Sequence, residues 1–69
     1  MDRTKIARDV RRIRNAARRL AEALRLAEYH QLNAGAGYQA EGLRVLVGEA
    51  EHIEDIAADI QGLLPEYLP

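Results

Sequence analysis

The sequence predicts an all-α protein: an antiparallel helical hairpin, with helices over roughly residues 3–33 and 36–64, that self-associates into a four-helix or larger bundle. Three observations carry this. Each half has apolar residues at heptad spacing, the two series fall out of phase across a glycine-bearing stretch, and they mirror one another about that stretch.

In the first half the apolar positions run Ile6, Val10, Ile13, Ala17, Leu20, Leu24 and Ala27. Alternating steps of about three and four residues keep them on one helix face. Arginine is dense on the rest of this helix, and Arg8, Arg11, Arg12, Arg18, Arg19 and Arg25 form a stripe along its outer side.

If that helix continued in phase past Gln31, its apolar face would receive Tyr38, Glu41, Val45, Gly48, His52, Asp55 and Asp59, a mostly polar set. The chain therefore turns. Asn33, Gly35 and Gly37 are residues that end helices and tolerate positive φ.

The second helix has its own series, Leu43, Leu46, Ala50, Ile53, Ala57, Ile60 and Leu64. Folding at Gly35 sets Ile6 opposite Leu64, Val10 opposite Ile60, Ile13 opposite Ala57, Ala17 opposite Ile53, Leu20 opposite Ala50, Leu24 opposite Leu46 and Ala27 opposite Leu43. In four of these layers an alanine meets a larger residue, which lets the helices approach closely. Pro65 ends the second helix, and residues 65–69 are expected to form an extended tail on the same single domain, 1–69.

Charge is divided between the halves. Residues 1–34 hold nine of the ten basic residues and four acidic ones; residues 35–69 hold Arg44 and seven acidic residues. The fold places Arg11, Arg14, Arg18 and Arg19 beside the acidic run Glu51, Glu54, Asp55 and Asp59, so the asymmetry is explained by pairing between helices. The near-neutral total and the acidic second helix argue against nucleic acid as the partner.

With 69 residues, the chain lies below the size at which one core usually supplies comfortable stability, roughly 70–80 residues. It has no cysteine, and its His and acidic residues do not fall at structural-zinc spacing. Apolar residues outside the seams (Ala16, Ala23, Leu26, Leu32, Val45, Val47, Ile56, Leu63) call for a partner surface. A homo-oligomer, dimer or higher, meets both needs. No apolar run is long enough for a membrane span and no signal-peptide core is visible, so the chain reads as soluble and cytoplasmic, with no membrane partner.

Two constellations compete with a purely structural reading. Gly35-Ala36-Gly37-Tyr38-Gln39-Ala40 matches the G-x-G-x-x-A dinucleotide pattern, but a helix precedes it where a strand is required. A helix start at this turn still attracts anions. With Arg25, Tyr29, His30, Gly35, Gly37, Tyr38 and Arg44 nearby, an oligomer binding an anionic small molecule such as a nucleotide is an alternative function. Small phage proteins that sequester nucleotide signals share this architecture, with no common motif.

The second constellation is Glu49-x-x-His52, the spacing of ferritin-like metal hairpins, with Glu28 or Glu22 as a further ligand; such a site would need a dimer. Nucleophile–base triads and paired inward carboxylates are missing from the sequence, which points away from an enzyme and implies no cofactor. The leading expectation is a non-enzymatic, homo-oligomeric helical module that binds a protein partner.

Overall fold

A computed structural model describes residues 3–64, as two helices and no strand among them. Helix α1 spans Arg3–Asn33 and α2 spans Gly37–Leu63, within a residue or so of the boundaries read from sequence. They pack side by side as an antiparallel hairpin about 51 Å long and 16 Å wide. The expected tail, 65–69, lies outside the described residues.

The turn is a hydrogen-bonded helix stop. Ala36 N donates to Gln31 O at 2.9 Å and Gly35 N to Leu32 O at 3.1 Å, the paired bonds of a Schellman motif. Gly35 holds the left-handed position with φ +78°, a backbone conformation that residues with a Cβ adopt only under strain. Helix α2 then begins without a side-chain cap on Ala36. At its far end Leu64 turns to extended backbone, φ −85° and ψ 135°, as Pro65 requires of the residue before it.

The seam between the helices differs from the one expected. Its α1 side is Ala7, Val10, Arg14, Ala17, Ala21, Leu24, Glu28 and Gln31, all buried or half-buried. The α2 side is Ala40, Leu43, Val47, Ala50, Glu54, Ala57, Gln61 and Leu64. Both sets keep heptad spacing, but rotated by half a helix stripe. Val10, Ala17, Leu24, Leu43, Ala50, Ala57 and Leu64 stay in the seam, whereas Ile13, Leu20, Leu46, Ile53 and Ile60 are turned out and stand 42–52 % exposed. Val47, expected on a flank, is buried.

Alanine explains the rotation. Among the described residues the buried ones are five alanines, Ala17, Ala21, Ala40, Ala50 and Ala57, plus Val47. Small side chains let two helices approach to the short end of the usual 8–10 Å range, and bulky residues at the same positions would hold them apart. Close approach also carries the long arginine and glutamate stems across one flank, where three ion pairs form.

Candidate functional site

The hairpin has two unlike flanks. One is ionic. Arg18 Nε donates to Glu54 Oε2 at 2.8 Å, Arg44 Nε to Glu28 Oε1 at 3.0 Å, and Arg25 Nη2 pairs with Glu51 Oε2 at 2.5 Å. The sequence-based pairing of basic α1 with acidic α2 is thus realised at Arg18–Glu54. Exposed pairs of this kind contribute only about 0–1 kcal/mol each, so they fix register more than stability.

The opposite flank is aliphatic. Val10, Ile13, Ile53, Ile56, Ala57 and Ile60 line one groove between the helices. Heptad periodicity continues the same face toward the turn through Leu20 on α1 and Leu46 on α2, each half-exposed. Ile6 begins it at the open end of the hairpin. Among the described residues the groove is lined by aliphatic side chains, and the strip runs from Ile6 to Leu20 and Leu46. Its outer borders include Asp9, Arg12 and Arg19 on α1 and Glu49 and Asp59 on α2, all exposed and all outside the three ion pairs.

Of the residues read as an anion set, Tyr29, His30, Gly35, Gly37 and Tyr38 flank the turn, while Arg25 and Arg44 stand about two helical turns away from it along α1 and α2. Tyr38 is 91 % exposed and Tyr29 is 59 % exposed, with its ring 6.0 Å from that of His30 at a tilt of 54°. Helix α2 has no acidic residue in its first turn, so its positive end is uncompensated. The two cations of the set, however, are already engaged by carboxylates: Arg25 by Glu51 and Arg44 by Glu28.

For a metal, the chain alone does not assemble the expected ligands. Glu28 accepts from Arg44, while Glu49 and His52 lie exposed on α2. Among the described residues, no three His, Cys, Asp or Glu side chains come together in a way that holds an ion. No described helix is long and apolar enough to cross a membrane.

Comparison of the chain with protein-family models, with curated proteins and with solved structures finds no match. The surface residues have to speak for themselves. Most of the aliphatic face escaped the sequence reading because its members, Ile56 excepted, were placed inside the hairpin seam. A partial signal was available: Ala7, Ala21, Ala40 and Val47 stand at heptad positions beside Ile6, Leu20 and Leu46, although Arg14, Glu28, Glu54 and Gln61 interrupt this second stripe.

Proposed function

We propose that the chain is a self-associating helical hairpin that acts as a non-enzymatic assembly and interaction module. The observation behind this reading is the uncovered aliphatic face running through Ile13, Leu20, Leu46, Ile53, Ile56 and Ile60. Within the hairpin the buried residues are alanines and one valine, so folding alone leaves the larger aliphatic groups half in water. Covering them is worth about 25 cal/mol for each Å² of apolar surface removed from solvent.

The dimensions fit. One long face of a 51 × 16 Å hairpin offers about 800 Å², the usual contribution of one partner to a stable interface. A chain of 69 residues without cysteine has this route to the stability that its small core does not supply. Leu26, Tyr29, Leu32, Tyr38 and Val45 remain exposed outside the face, all toward the turn end, and offer a surface to a different protein.

Sedimentation velocity on the full chain at tens of micromolar tests the reading. A dimer or higher mass is expected, and Ile53→Asp shifts the population to monomer. A monomeric wild-type chain would overturn it. Leu26→Asp, outside the face, serves as the matched control and keeps the wild-type mass.

A further inference from the structure

Each helix carries two faces that share one edge. Val10, Ala17 and Leu24 on α1, with Leu43, Ala50 and Ala57 on α2, lie in the observed seam and belong by heptad spacing to the aliphatic stripe as well. On one side of this edge the seam is completed by Arg14, Ala21 and Glu28 of α1 and by Val47, Glu54 and Gln61 of α2. On the other side Ile13, Leu20, Leu46, Ile53 and Ile60 stand outside it, 42–52 % exposed. The side that is packed inward is the more polar of the two.

We propose that the hairpin has two packing states, related by rotation of both helices about their long axes, and that a second copy covering the aliphatic face selects the observed one. This rests on the self-association argued above and adds what the hairpin does without that cover. In the other state Ile13, Leu20, Leu46, Ile53 and Ile60 enter the seam beside the shared edge, while Arg14, Ala21, Glu54 and Gln61 turn out to the flank. Successive residues are about 100° apart around a helix, so exchanging adjacent stripes takes about half of that, 50° per helix, in opposite senses seen from one end.

The rotation needs no slide of one helix along the other. Counting from the bonds of Arg14 to Gln61 and of Arg18 to Glu54, Ile13 is level with residues 59–62 and Leu20 with residues 52–55. Ile13 therefore meets Ile60, and Leu20 meets Ile53, at the heights they already occupy.

Two features of the observed packing favour rotation in a lone hairpin. Five large aliphatic side chains are left half in water, and Arg14 Nε is buried without an acceptor. Rotation buries the first and hydrates the second. A second copy reverses the balance, because a helix in a bundle buries about three positions per heptad, and the observed orientation offers an aliphatic third position. The rotated hairpin brings Asp9, His30 and Glu49 to that flank instead. The aliphatic face is thus presented on association and hidden otherwise.

The chain has no cysteine, so introduced thiols report burial at single positions. Ala21, 1 % exposed, leaves the seam on rotation, whereas Ala17, 5 % exposed, stays in it in both states. Reaction rates of Ala21→Cys and Ala17→Cys with an aromatic disulfide reagent are measured on the full chain across the dilutions at which sedimentation shows dissociation. They are repeated with Ile56→Asp added, which charges the face at a position outside both seams and supplies the dissociated form. On dissociation Ala21→Cys is expected to react at least about tenfold faster, while Ala17→Cys stays slow. Val47→Cys and Ala57→Cys repeat the comparison on α2 should either α1 variant fail to fold. If Ala21→Cys gains nothing, the hairpin does not rotate; the proposal is overturned and self-association stands. If both thiols become fast together, the helices separate instead of rotating, which overturns it too. A chain that is monomeric at every concentration overturns self-association and the coupling with it.

Discussion

Arg14 Nη1 donates to Gln61 Oε1 at 3.0 Å, joining two polar residues inside the seam near the open end of the hairpin. The bond leaves Arg14 Nε buried without an acceptor. An unmet buried donor costs about 1–3 kcal/mol, so this layer is weaker than an apolar one of the same volume. Arg14→Leu with Gln61→Leu is expected to raise the melting temperature by about 4–8 °C, the equivalent of about 1 kcal/mol for a domain this small. Circular dichroism melts at matched concentration check it; a lower melting temperature would show that the polar layer stabilises the hairpin.

Ala21 and Ala50 are 1 % and 2 % exposed, and they set how near the helices come. Ala21→Leu forces a larger side chain into that contact and is expected to cost about 1–3 kcal/mol. The same exchange at Ala23, exposed on α1, is expected to change stability by less than about 0.5 kcal/mol. Denaturant midpoints of the two variants give the comparison, and equal midpoints would contradict an alanine-limited seam.

Two glycines have opposite expectations. Gly35 sits at φ +78° with open space around it, so Gly35→Ala suffers from backbone strain alone, about 1–2 kcal/mol. Gly48 lies inside α2 with nothing within 4 Å of an added Cβ, and Gly48→Ala is expected to stabilise by about 0.5–1 kcal/mol. Thermal melts of both variants should move in opposite directions.

Arg25 and Arg44 are held by Glu51 and Glu28, so an added anion must compete with a carboxylate already in place. Nucleotides at about 1 mM are expected to shift the melting temperature by less than about 1 °C. A larger shift that disappears in Tyr38→Ala or Arg44→Ala would favour the anion-binding alternative. An iron or zinc shift lost in Glu49→Ala would favour the metal one.

Helix identity and boundaries were legible because they depend on local signals. Glycine at the left-handed stop, proline after Leu64 and the loss of heptad phase each act within a few residues. The ion pair between Arg18 and Glu54 was legible in kind, since folding a basic helix on an acidic one brings such groups together. The candidate surface was not. Ile13 and Ala17 both belong to an apolar stripe, and periodicity alone does not say which of two adjacent stripes faces the other helix.

By itself, then, the sequence determined two amphipathic helices, the place of the turn and the opposite charge of the two halves. Only the tertiary structure decided which stripe is buried: alanines close the seam because small side chains permit the closest helix approach. That choice turns Ile13, Leu20, Leu46, Ile53 and Ile60 outward together, leaving on one flank the aliphatic surface from which the protein's function is inferred.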